Sequence, residues 1–312
     1  MAKKKVKKKE APPQKVSLYT LKLSDIQFKR LQKILEARNW ADYEVPYARY
    51  AYRSEGINLV AYQSGKLVIQ GKKTEEFVQY VIEAEITKEA RLGYDEVHHS
   101  EWFEPHAGLD EAGKGDVFGP LITACVIADR NMIVRWREAG VKDSKSISDK
   151  TILQKDQLIR NTPGVVVESV GSTMERYNEM MAKPKANLNL LLAWMHAKGL
   201  EKALARKSVT WGMLDQFSRQ PLVQRYGKFP NGFDLRMQTK AESDPVVAAA
   251  SIVARAEYVR RMEQLSENFG EVLKKGASEQ VRKQAEALYK KEGEAGLRKY
   301  TKMHFKTIRL LQ

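Results

Sequence analysis

Residues Gly108 to Pro120 read GLDEAGKGDVFGP. Asp110 and Glu111 stand side by side and run directly into Gly113-Lys114-Gly115. Successive side chains of a strand point to opposite faces. Both acids can therefore serve one site only where the strand ends or bends, and the glycines permit that. The expectation is a carboxylate pair at a strand end, beside a loop whose N–H groups can approach a phosphate or a ribose. Three interpretations compete. A turn with two solvated acids is the plainest. A phosphate-binding loop of the form G-x-x-x-x-G-K-[ST] fits Gly108, Gly113 and Lys114. Gly115 stands where its metal-holding hydroxyl belongs, however, and two acids inside the loop would repel phosphate, so this interpretation is rejected. The third, a metal-dependent nuclease, needs further carboxylates from elsewhere in the chain.

Working outward, HAGLDEAG and PLITACVIAD read as strands, the second apolar enough to be buried on both faces. NMIVRWREAG reads as a short helix, Ser148 as a helix start after the polar VKDSKSIS, and VVVESVGS as a third strand. ANLNLLLAWMHAKGLEKALAR is a long amphipathic helix in which Trp194 and His196 are expected to pack rather than ligate. SVTWGMLDQF is a buried strand ending near Asp215. NGFDLRMQTKAES is another, ending near Glu242 and leading into the helix DPVVAAASIVARAEYVRRM. The alternation specifies an α/β domain with a mixed sheet. Sites in open α/β sheets gather at strand ends, so Asp110, Glu111, Asp215 and Glu242 are expected to converge, with Asp244 the rival for the fourth position. Four close carboxylates repel. Two divalent cations, Mg²⁺ or Mn²⁺, would relieve that repulsion, activate a water and stabilise the leaving oxygen of an in-line displacement.

The N-terminal part is a different unit. VSLYTLKL reads as a strand, IQFKRLQKILEARN as a helix, YARYAYR, INLVAYQ and KLVIQGK as strands, and EEFVQYVIEAEI as a helix with Thr74 as its cap. The natural packing is one curved antiparallel sheet backed by helices. Ile57, Leu59, Leu67 and Ile69 should face the helices, joined by Tyr50 and Tyr52. Tyr47, Arg49, Arg53, Tyr62 and Lys66 should lie on the other face, an aromatic and basic surface suited to nucleic acid. The expected division is a basic tail over 1–15, a small α+β domain over 16–90, a linker over 91–104 that holds His98 and His99, and a catalytic domain over 105–312.

Composition agrees with a polyanionic partner. The 312 residues carry a net charge of +15. The tail MAKKKVKKKEAPPQK accounts for +6 of it, so the remainder is still basic at +9. That balance favours nucleic acid over a small neutral substrate. No apolar run approaches the length of a membrane span and no secretory signal is evident, so a cytoplasmic protein is expected. Cys125, the single cysteine, lies in the apolar run LITACVIA and is expected in the core. Nothing in the charge pattern or tail indicates a dimer seam, and a monomer is expected.

With these residues in view, GLDEAGKGDVFGPL resembles the opening motif of the type 2 ribonuclease H family. KDSKSISD is similar to its second motif, and LLAWMH, the strand ending at Asp215 and TKAESDPVVAAASIVAR follow in the family's order. The similarity spans residues 105–310. Within the family the chain resembles the ribonuclease HIII branch. It has a separate N-terminal unit similar to a TATA-box-binding-protein-like (TBP-like) domain, a glutamate in Lys240-Ala241-Glu242, and the closing segment KMHFKT with Lys302, His304 and Lys306. The resemblance implies a ribonuclease H-like mixed sheet flanked by helices, preceded by a small α+β TBP-like domain. It implies endonucleolytic hydrolysis of the RNA strand of RNA–DNA hybrids, leaving 5′-phosphate and 3′-hydroxyl ends, with Asp110, Glu111, Asp215 and Glu242 holding the metals. Gly113, Lys114 and Gly115 would meet the ribose 2′-hydroxyl and adjacent phosphate, Lys142, Ser144 and Lys145 would line the phosphate track, and His304 would assist metal release or proton transfer. Two alternatives stand beside this: incision at single ribonucleotides in duplex DNA, in the manner of ribonuclease HII, and a non-catalytic hybrid-binding protein.

Overall fold

The computed structural model describes residues 16–90, 92, 98–141, 147–218 and 220–311. The chain divides into two compact units, Met1–Ser100 and Glu101–Gln312, each with its own core.

In the first unit, β1 (Leu18–Lys22), β3 (Ala48–Ser54), β4 (Ile57–Tyr62), β5 (Lys66–Gln70) and the two-residue β2 (Ala41–Asp42) form an antiparallel sheet in the order β1-β5-β4-β3-β2. Helix α1 (Asp25–Ala37) opens with a capping box between Ser24 and Gln27 and buries Phe28, Leu31 and Leu35. Helix α2 (Thr74–Phe77) continues as a π-helix over Val78–Thr87. Period-two alternation places Leu59, Leu67 and Ile69 fully inside. Tyr50 and Tyr52 join them, donating to Phe28 O and to the Glu36 carboxylate of α1. Two expectations fail here. Lys73, not Thr74, occupies the cap position, and the buried Thr74 hydroxyl donates instead to Ser17 O. Arg49 does not join an outer basic face: it pairs with Asp25 at 2.6 Å and lies 4.9 Å over the Phe28 ring, because a register shift between Ala48 and Tyr50 turns this strand end toward α1.

The second unit is built on a mixed sheet in the order β10-β9-β6-β7-β8. Strands β6 (His106–Ala112), β9 (Trp211–Asp215) and β10 (Asp234–Gln238) run parallel, and β7 (Ile122–Ala128) pairs antiparallel with both β6 and β8 (Val166–Gly171). Every residue of β7 is buried, as expected for a strand covered on both faces. One face of the sheet carries α7 (Pro245–Phe269), whose Val246, Val247 and Ala250 share a core with Ala124 and Val126. The other carries α6 (Leu188–Arg206), whose Ala193, Ala197 and Leu200 pack with Leu109, Cys125 and Ile127. Helices α3 (Arg130–Glu138), α4 (Asp149–Arg160), α5 (Met174–Met181), α8 (Glu279–Tyr300) and α9 (Lys306–Arg309) complete the unit. Trp102 and Phe103, assigned above to the linker, are buried in this core; their apolar surface is worth more inside than in a connecting segment.

Candidate active site

β6 positions the two leading acids, and not by ending before them. The strand stays paired with β7 through Ala112, with Asp110 opposite Ala124 and Glu111 opposite Thr123. The acids therefore sit on opposite faces, Asp110 toward α7 and Glu111 toward α6, which corrects the expected bend. Both reach one place because pairing with β9 stops at Leu109–Leu214. Past that point β6 and β9 part, and side chains from either face border the opening. This is the crevice at the carboxyl ends of parallel strands where α/β proteins place their sites.

A cavity of about 460 Å³ lies there, bordered by Asp110, Glu111, Asp215, Gly113, Lys114, Asp116, Ser251 and Tyr258 and by the cations Arg255 and Lys275. Asp110 Oδ1 accepts from Glu111 N at 2.8 Å. Burial, with the charges of Glu111 and Asp215 adding to it, pushes the Asp110 carboxyl up to about 7 against hydrogen bonds from Ser251 and Glu111 N that lower it. Glu111 is buried too, but the hydrogen bond from His196 and the charge of Lys114 outweigh that burial and hold it below the usual carboxylate range. His196 Nε2 lies 3.1 Å from Oε2 and Lys114 Nζ 3.4 Å from Oε1.

Glu242 does not end a strand. β10 stops at Gln238, and Glu242 sits half-buried in a 3₁₀ turn, Ala241–Ser243. Lys240 enters that turn at φ 61°. Ala241 N donates to Asp215 Oδ1 at 3.0 Å, which fastens the turn to the end of β9. Glu242 does not border the cavity itself. Asp244, its rival, is otherwise engaged: it is buried, caps α7 by accepting from Val246 N and Val247 N, and meets His106 Nε2 at 3.0 Å. The His106 ring stacks on Trp211 with centroids 4.1 Å apart. An acid with this many partners is a structural clamp.

The Gly113-Lys114-Gly115 loop begins with a backbone only glycine accommodates. Gly113 has φ +83°, and an added Cβ would lie 2.3 Å from Pro120 O. The loop's exit is strapped by the chain's end. Gly119 N donates to Tyr300 O, Lys302 N to Val117 O, and the Lys302 ammonium to the carbonyls of Asp116 and Gly119. Lys302 is fully buried, and burial pushes its amine down to about 7. His304 lies apart from the cavity, against Tyr177 and Phe305. Lys142, Ser144 and Lys145 lie outside the described residues.

Sequence reasoning did not identify His196, Arg255 or Lys275. Arg255 and Lys275 flank the single carboxylate of Asp149, at 3.2 and 2.5 Å, on the wall of the cavity. Their separation in sequence from the acids hid them. His196 sits at an inward helical position that periodicity reads as packing, and the available signal was that a buried imidazole requires a polar partner.

Among the described residues no three His, Cys, Asp or Glu side chains are gathered into a ready-made ion cage. The donor chemistry nonetheless fits hard divalent cations: carboxylate oxygens gathered where β6 and β9 part, one of them on an acid raised by burial and, after it, by the charges of its neighbours.

Residues 107–308 match the family described as Ribonuclease HII, and residues 19–91 match a domain of unknown function, DUF3378. The chain is 36% identical over 297 residues to the ribonuclease HIII of Protochlamydia amoebophila, covering 95% of this chain and 96% of that one. It is 36% identical to the ribonuclease HIII of Chlamydia muridarum over 295 residues, covering 93% and 95%. Among solved structures it is similar to Bst-RNase HIII in complex with Mn²⁺, with 27% identity, a TM-score of 0.63 and coverage of 95% and 98%. The RNase H3 of Aquifex aeolicus shares the fold, with a TM-score of 0.53 and coverage of 91% and 99%. A mixed sheet with acids where β6 and β9 part, a separate antiparallel N-terminal unit and this end-to-end similarity place the chain in the ribonuclease HIII family.

Proposed function

We propose that this protein hydrolyses the RNA strand of RNA–DNA hybrids endonucleolytically, leaving 5′-phosphate and 3′-hydroxyl ends. The observation that carries the proposal is the meeting of Asp110, Glu111 and Asp215 at one cavity, with the Asp110 carboxyl raised to about 7 by burial and like charge. A site that buries one acid beside two others is built for cations and poorly suited to an anionic substrate without them. Asp110, Glu111, Asp215 and Glu242 would hold two Mg²⁺ or Mn²⁺ ions, whose charge would make a bound water nucleophilic and stabilise the leaving 3′ oxygen. The rest falls to the chain's own side chains. Lys114, Arg255 and Lys275 present positive charge on the same cavity and would hold the backbone phosphates in register. Gly113 brings the loop backbone close to the substrate ribose, where an N–H can meet the 2′-hydroxyl.

The first unit, residues 16–90, would grip the hybrid. Arg53 lies 5.9 Å over the Tyr43 ring, and Tyr62 and Lys66 alternate with the inward Ala61 and Leu67, so an aromatic and basic face survives the loss of Arg49. Tyr47 is 83% exposed. The protein would act as a monomer. No helix among the described residues is long and apolar enough to cross a membrane.

The test uses two labelled duplexes, an RNA–DNA hybrid and a DNA duplex with one ribonucleotide, under Mg²⁺ and under Mn²⁺, with Asp110→Asn as control. Cleavage of the hybrid that disappears in the variant supports the proposal. Efficient cutting at the lone ribonucleotide moves the protein to ribonuclease HII-like incision, and binding without cleavage of either duplex overturns the catalytic proposal.

A further inference from the structure

Two buried side-chain atoms among the described residues lack a hydrogen-bond partner: Thr123 Oγ1 and His196 Nδ1. They are not scattered. Thr123 is the register partner of Glu111 across β6 and β7, so the two side chains share a face. His196 touches Glu111 on that face, 3.1 Å from Oε2, with no exposed side-chain surface. One turn along α6, an added Cβ on Gly199 would meet Cys125 Cβ at 3.8 Å, and Cys125 is two residues from Thr123 on the same face. Both atoms therefore belong to the single layer between α6 and the acid end of the sheet. Phe217 closes that layer, its ring stacked 5.6 Å from the imidazole.

We propose that His196 is a positioning residue for Glu111. Nδ1 has no partner, and the carboxylate can only accept, so the ring's hydrogen bond is the one its Nε2–H donates to Glu111 Oε2. That carboxylate oxygen is then fixed from the buried side, and Oε1 is left facing the cavity, where its other neighbour is the partly exposed Lys114 at 3.4 Å. The lysine can leave for a substrate phosphate; the histidine, enclosed on all sides, cannot leave. A metal-binding carboxylate that would otherwise rotate is thereby presented in one orientation, which is the service outer hydrogen bonds perform at metal sites. The inference rests on the nuclease proposal for its meaning, but its primary readout is ion binding and does not depend on cleavage.

The experiment measures Mn²⁺ affinity of the full chain by electron paramagnetic resonance without substrate, and kcat and KM on the hybrid separately. His196→Leu should weaken Mn²⁺ binding about 10- to 100-fold and lower kcat with it, leaving KM for the hybrid within about twofold. His196→Gln, whose amide nitrogen reaches nearly the place of Nε2, should recover most of both. If His196→Leu fails to fold, His196→Asn, whose amide falls one methylene short, replaces it. A His196→Leu protein with lowered thermal stability but wild-type Mn²⁺ affinity overturns the inference, as does a His196→Gln protein no better than His196→Leu. A wild-type protein that binds Mn²⁺ but cuts no hybrid overturns the nuclease proposal alone, and the affinity ratio still decides the role of His196.

Discussion

Asp110 carries a conflict between folding and chemistry that can be measured. Its carboxyl is raised to about 7 from 3.8, so the fold prefers the acid form. The sign follows: this group's favourable contribution is complete below pH 3.8 and is lost as pH rises through about 7. At pH 8 and without metal, Asp110→Asn should therefore melt higher than the wild type, and the difference should vanish near pH 4 in paired thermal scans. Added Mn²⁺ should reverse the order by stabilising the wild type. The same variant should lose about a thousandfold in cleavage, the size expected when several kcal/mol of metal-borne charge stabilisation is removed. Glu242 and Asp244 separate along a different line. Glu242→Gln should cut activity by about a hundredfold or more with little change in melting, because the turn that holds it is fastened by Ala241 N. Asp244→Ala strips the α7 cap and leaves His106 without its carboxylate, so about 3–5 kcal/mol of stability should go in urea titration. Activity per folded molecule should persist in that variant. The opposite assignment of the two effects would return Asp244 to the metal site.

At the level of elements, the contact between β6 and α7 sets how accurately Asp110 is placed. A Cβ on Gly108 would lie 2.3 Å from the Val246 carbonyl carbon. The obstacle is backbone at the first turn of a helix clamped by Asp244, so it cannot rotate aside as a side chain would. Gly108→Ala should cost about 3 kcal/mol or more, at or above the upper part of the range for overpacking, and should depress cleavage because Asp110 is two residues away. Gly115→Ala is the contrast. Nothing lies within 4 Å of an added Cβ there, so stability should change by less than about 0.5 kcal/mol. Denaturant midpoints of the two variants test the difference directly. The element boundaries were largely visible in the chain itself, since helices α1, α4, α6 and α7 each combine an inward apolar stripe with a side-chain cap. The end of β10 was not visible: MQTKAES carries no break signal, and the turn at Lys240 arises from a positive φ and from the Asp215 contact.

For the molecule as a whole, two cores in one chain allow the proposed grip and the proposed chemistry to be tested apart. Deleting residues 1–90 should weaken hybrid binding, most at low salt, and flatten its salt dependence, while kcat at saturating hybrid stays near that of the full chain. Unchanged affinity in a filter-binding or anisotropy titration would remove the first unit from substrate recognition. Sequence alone determined the class of architecture, the order of elements, the basic balance and the acids Asp110, Glu111, Asp215 and Glu242 as candidates. It could do so because alternation, capping and local motifs are short-range, and neighbouring residues carry them. The tertiary structure decided what those residues meet: that Asp110 and Glu111 face opposite sides of an unbroken strand, that Asp244 is a clamp, that Lys302 straps the glycine loop, and that His196 stands behind Glu111. The last three join positions 85 to 186 residues apart, and a pairing at such separation exists only once the sheet has brought the two segments together.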